Sequence, residues 1–174
     1  GLSTISASPL DSFLGNAASD APDVDPEVKV TLTPVPNTDG KEAVVTVAVA
    51  IPGEKWTYST NKAIPARTVF IIDRLSGLTP IGSAFIADHA PEIVYDSREK
   101  MNLEKFKHHV EWSRRFQVNP EMSPDKIGVV FGVKIKVCDK NSCTPYSKYY
   151  ELTLTETREI KSLKVATLPG EHFT

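Results

Sequence analysis

Apolar and polar residues alternate with a period of two through most of this chain, and that period narrows what it can fold into more than any other feature. Val28, Val30 and Leu32 alternate with Lys29, Thr31 and Thr33. Successive side chains of an extended backbone point to opposite faces, so this is the spacing of a half-buried strand. Residues 44–51 are β-branched and nearly continuous, with Val45, Val47, Val49 and Ile51 on one face, as in a central strand. Trp56, Tyr58 and Thr60 share one face of a short strand. Residues 68–73 predict another strand, 81–87 a weaker one, and 107–118 alternate through Val110, Trp112, Phe116 and Val118. Residues 127–137 form the longest clean strand and 149–155 the last. Pro34, Pro36, residues 37–40, Pro52, Gly53 and the loop 119–125 punctuate the series. Residues 97–105 alone combine charge with some helical character, without a sustained apolar stripe, and are expected to be a loop excursion. About eight or nine short strands without a strong helix predict an all-β fold, an immunoglobulin-like antiparallel β-sandwich, with a closed barrel as the competitor. The lack of a fixed-period repeat argues against solenoids and propellers.

At 174 residues and 40% hydrophobic, the chain supports one ordinary domain with a real core and excludes two independent enzymes. Residues 1–26 are small and polar, with only Leu10, Phe13 and Leu14 as a local apolar cluster, and are expected to be a flexible lead-in. The domain is expected over 27–157, and 158–174 reads as a tail or linker. Twenty Lys and Arg against twenty-two Asp and Glu give a net charge of -2, which predicts neither a nucleic-acid groove nor affinity for an anionic membrane. No apolar run approaches membrane-spanning length. Residues 1–20 lack a basic region followed by an apolar one, so any secretory signal is expected to be removed or never present.

The two cysteines carry the most chemistry. Cys138 and Cys143 flank Asp-Lys-Asn-Ser between two predicted strands, at a hairpin. Flanking residues there face each other across the ladder at Cα separations of roughly 4.5–5.5 Å, within the range of a disulfide. Val129, Phe131, Val133, Ile135 and Val137 define the core face, so Cys138 is expected on the other face with Lys134 and Lys136, away from the core. Closing so short a loop yields about 2 kcal/mol of chain entropy, a weak stabiliser, while outward cysteines on a turn are open to thiol exchange. A structural hairpin staple remains the alternative. Joining these thiolates to His108 and His109 around a metal is disfavoured, because neighbouring strand residues face opposite ways. His89 and His172 are expected to be solvated. No nucleophile elbow, zinc-protease pair or phosphate-binding glycine loop occurs. Trp56, Tyr58, Trp112 and Phe131 fit strand faces as packing residues. Phe106, after the charged excursion, either packs in the core or folds over a neighbouring site.

Pro52, Gly53, Trp56, Tyr58 and Ser59, then Phe106 with Trp112 six residues on, then Val137, Cys138, Cys143, Pro145 and Tyr146, together resemble the disulfide bond corrector domain family. These are the N-terminal periplasmic domains of DsbD-type thiol:disulfide interchange proteins, and the likeness covers about residues 28–155. It implies an immunoglobulin-like fold that carries electrons by thiol–disulfide exchange, without a bound cofactor. Cys143 would attack, or be attacked, in the mixed disulfide, and Cys138 would resolve it. Phe106 would be the cap over the cysteines, with Trp56, Tyr58 and Tyr146 beside them. Glu104 matches the family's acidic residues before the cap, whereas Lys105 stands where a carboxylate is expected, and the loop 96–105 is longer than usual. The implied donor is a thioredoxin-like domain and the implied acceptors are oxidized periplasmic thiol proteins, including those of cytochrome c biogenesis, within a larger inner-membrane protein. The competing function is a non-catalytic sandwich that binds another protein and carries a structural disulfide.

Overall fold

The structure, a computed structural model, describes residues 24–166 and 168. The cluster at Leu10, Phe13 and Leu14, and also His172, lie outside the described residues. The strands are β1 Glu27–Pro34, β2 Glu42–Ala50, β3 Trp56–Tyr58, β4 Val69–Ser76, β5 Leu78–Pro80 and β6 Ile86–Ala87. They continue as β7 Glu92–Asp96, β8 Met101–Lys107, β9 His109–Val118, β10 Gly128–Cys138, β11 Cys143–Thr153 and β12 Thr157–Ile160. One sheet runs β1-β2-β9-β5, with β6 also on β9; the other runs β12-β11-β10-β3-β8-β7, with β4 also on β10. Every pairing is antiparallel. The molecule is therefore an all-β domain of two packed antiparallel sheets.

Alternation explains the packing. Val30 and Leu32 of β1, Val45, Val47 and Val49 of β2, Val110, Trp112 and Phe116 of β9, and the odd residues of β10 from Val129 to Val137 meet between the sheets. Aromatic rings fill the centre, with Phe70 edge-on to Trp112 at 5.3 Å and Phe106 edge-on to Trp112 at 5.5 Å. The turn before β2 places Asn37, Asp39 and Gly40 at positive φ, the left-handed region that these residue types enter most readily.

Four expectations change. Residues 81–87 do not form one strand: Gly82, at a φ of 73°, lies in a break between β5 and β6. The excursion at 97–105 is a four-residue turn followed by β8, so the β7–β8 hairpin replaces the expected loop. Phe106 accordingly lies near the end of β8, and His108, at a φ of 65°, separates β8 from β9. Packing also continues past residue 157: β12 pairs with β11, and Ala166 and Leu168 cover Val130 on the outer face of the second sheet.

Candidate functional site

Three register pairs build the site. Trp56 of β3 is opposite Cys138 of β10, Cys138 is opposite Cys143 of β11, and Tyr58 of β3 is opposite Lys105 of β8. Paired residues share a face, so Trp56, Tyr58, Cys138, Cys143, Leu103 and Lys105 all lie on the outer face of the second sheet. Thr57, between Trp56 and Tyr58, turns inward and donates its hydroxyl to the Lys136 carbonyl at 2.8 Å, tying β3 to β10.

Cys138 and Cys143 form a disulfide across the end of the hairpin, with Cα atoms 4.0 Å apart. The turn is held by Asp139, whose N–H donates to the Ser142 carbonyl at 2.9 Å and whose carboxylate accepts the N–H groups of Asn141 and Ser142. Those two backbone donors, Asn141 foremost, hold the Asp139 carboxyl below its ordinary value of 3.8. Asp96 plays the same part in the β7–β8 turn, accepting from Arg98 and Glu99, with its carboxyl lowered first by the Glu99 N–H.

Parity placed Cys138 correctly on the face opposite Val137, but the inference that it is exposed is overturned. Cys138 is 1% exposed, because Ile64 from the loop between β3 and β4, with Tyr58 and Leu103, forms a second apolar cluster over it. The loop is anchored by the Thr68 hydroxyl, which donates to the Tyr58 carbonyl at 2.6 Å, and by the Thr68 N–H on the Ser59 carbonyl. Cys143 is exposed. The disulfide thus has one covered and one open sulfur, at the lip of a groove of about 380 Å³ lined by Trp56, Tyr58, Leu103, Lys105 and both cysteines. The Lys105 Nζ lies 3.9 Å from the centroid of the Trp56 ring, a cation–π contact.

The other residues singled out from sequence fall elsewhere. Phe106 is on the inner face of β8, 2% exposed, packed in the main core against Trp112 and His89, and does not line the groove. Tyr146 pairs with Ile135 and leans on the main core from the inner face. Glu104 also leaves the groove to Lys105: its carboxylate accepts from the Ser59 hydroxyl at 2.7 Å and the Asn61 amide at 2.9 Å, bracing the covering loop. His89 is exposed, as expected, but hydrogen-bonds Asp88 at 2.8 Å and meets the Phe106 ring at 5.1 Å. His108 and His109 are exposed. Sequence reasoning missed Ile64 and Leu103. Met101, Leu103 and Lys105 do alternate with Asn102 and Glu104, a strand signal outweighed by the surrounding charge.

Fold and site together define a β-sandwich domain with a single disulfide at a groove. No protein-family model, curated protein or solved structure matches the chain. Among the described residues, no helix is long and apolar enough to cross a membrane.

Proposed function

We propose that this chain is a thiol–disulfide exchange domain, of the immunoglobulin-like type suggested by its resemblance to the disulfide bond corrector domains, and that Cys143 is the sulfur its partners meet. The observation that carries this reading is the asymmetry of the bond: Cys143 is exposed and Cys138 is 1% exposed. Exchange needs access for one incoming thiolate along the S–S axis and a second sulfur that leaves and later returns. A covered Cys138 satisfies the second role, since it is shielded from stray thiols and kept within reach of Cys143. Electrons arrive from a thioredoxin-like domain and pass to oxidized thiol proteins, in the periplasm and as part of a larger inner-membrane protein. The pair itself stores two electrons, so the reaction requires no cofactor.

The burial of Cys138 among Tyr58, Ile64 and Leu103 favours a second reading, a structural staple in a non-catalytic interaction domain. Two measurements separate the two. On the exchange reading the reduction potential of the pair lies above about -300 mV. A reduced Cys138→Ala variant also accumulates a mixed disulfide through Cys143 with an oxidized thioredoxin-like protein. A potential well below about -300 mV with no adduct would establish the staple instead.

A further inference from the structure

The indole of Trp56 carries a donor that nothing accepts. Among the described residues its Nε1 is shielded from solvent and has no hydrogen-bond partner, although buried donors are almost always satisfied. Trp56 is the register partner of Cys138 on the same face, and the Cys138 sulfur changes charge during exchange. We propose that the Trp56 N–H, with the Lys105 ammonium resting on its ring, receives the Cys138 thiolate that forms when the disulfide opens. This rests on the exchange reading and specifies how its buried sulfur works.

The step balances as follows. A partner thiolate attacks the Cys143 Sγ; the new S–S bond joins partner and Cys143, and the Cys138–Cys143 bond breaks. Its electron pair stays on the Cys138 Sγ, which becomes a thiolate. The partner's second thiol, after losing its proton, attacks the partner's own sulfur in the mixed disulfide. Cys143 leaves as a thiolate and takes up a proton, so the partner ends oxidized and this domain reduced. The first step is the difficult one here. A thiolate packed under Ile64, Tyr58 and Leu103 is poorly solvated, which raises its pKa and makes it a worse leaving group unless local donors replace water.

The polar groups facing the groove fit that need. Asp96 and Asp139 direct their carboxylates into their own turns. Tyr58, Arg98, Glu99 and Lys140 line the remaining wall, and Lys55 acts on Asp139. Lys105 is the cation fixed over the ring beside Cys138, with its Nζ 3.9 Å from the Trp56 centroid. In the oxidized state the indole N–H is an unsatisfied donor on the residue paired with Cys138, whose sulfur is neutral. In the reduced state it has a charged acceptor. Trp56 is therefore a positioning residue for the leaving group, and Lys105 supplies the field.

The test uses the chain alone. In a Cys143→Ser background, which leaves Cys138 as the one thiol, its pKa is read from thiolate ultraviolet absorbance. Trp56→Phe keeps an aromatic ring and removes the donor. It should raise the Cys138 pKa by about one pH unit, a tenfold loss of thiolate at a given pH. Lys105→Met should raise it in the same direction. In the unmutated protein, a nitrogen–proton correlation spectrum should show the Trp56 indole signal moving downfield on chemical reduction while that of Trp112 stays in place. This second readout stands if Trp56→Phe perturbs folding. An unchanged Cys138 pKa in a folded Trp56→Phe variant, or an unmoved Trp56 signal, overturns the proposal. No exchange partner enters either measurement, so a failure of the relay reading and a failure of this inference are seen separately.

Discussion

Reducing the Cys138–Cys143 bond should destabilise the domain by less than its loop length dictates. The two cysteines are five positions apart, and closing so short a loop favours the oxidized form by about 2 kcal/mol in the chain-entropy estimate. For a domain of this size that corresponds to about 7 °C in melting temperature. The indole works against it. Leaving the Trp56 N–H buried and unpartnered costs about 1–3 kcal/mol, and reduction relieves this penalty once Cys138 accepts the bond as a thiolate. The two contributions nearly cancel, leaving a gap of about 1 kcal/mol or less. The assay is urea unfolding of oxidized and reduced protein near pH 9, above the ordinary cysteine pKa of about 8.5. On the proposal the Trp56 N–H outweighs the desolvation of Cys138, so folding should favour the thiolate and place its folded pKa below the unfolded one. That contribution is complete above the unfolded pKa and is lost as pH falls through the folded pKa. The oxidized–reduced gap should therefore widen toward about 2 kcal/mol on acidification. In Trp56→Phe it should stand at about 2 kcal/mol at acid pH and should not narrow as pH rises, because the buried thiolate then has no donor. A parent protein that shows the full gap near pH 9, with no further change in Trp56→Phe, refutes the reasoning.

Other outcomes follow from individual contacts. Phe106→Ala removes a core aromatic that is 2% exposed and should cost about 3–5 kcal/mol in urea unfolding; faster reduction by a small thiol, without any loss of stability, would restore Phe106 as a cap. Gly128→Ala would bring a Cβ to 2.4 Å from the Leu152 carbonyl oxygen, forcing the β10–β11 ladder apart at a loss of about 1–3 kcal/mol; a melting temperature equal to the parent's contradicts the register. Leu168→Ala should cost about 2–5 kcal/mol by uncovering Val130, and no measurable loss in a melting curve would show that the segment after β12 is not part of the packed unit. The Asp139 carboxyl, lowered by the Asn141 and Ser142 N–H groups, should titrate below 3.8 in a carbon-detected pH series. Its support of the cysteine turn is then present above 3.8 and lost as pH falls through the lowered value; a midpoint at or above 3.8 contradicts the turn geometry.

The contrast between β10 and β8 explains how much the sequence reveals of this molecule. On β10 every odd residue from Val129 to Val137 is apolar and faces the core, so period, face and the outward side of Cys138 could all be read directly. On β8 the same period is present, but its inner face carries Asn102 and Glu104 before Phe106, and its outer face ends in Lys105 and Lys107. Those positions sit near the open edge of the sheet, where a strand tolerates charge on both faces, so local composition resembles a loop. Parity says which face a cysteine takes but not what covers that face. Ile64 and Leu103 reach Cys138 from distant parts of the chain, and a long-range contact of that kind leaves no local trace. Phe106 lies on the inner face rather than over the cysteines for a related reason. A motif position assigns a residue type, whereas strand parity relative to Lys105 decides which side of the sheet it occupies. The residue beside the sulfur on that outer face is Trp56, its neighbour across the ladder, with Lys105 over its ring. The chemistry of the pair therefore rests on the same period of two that specifies the fold.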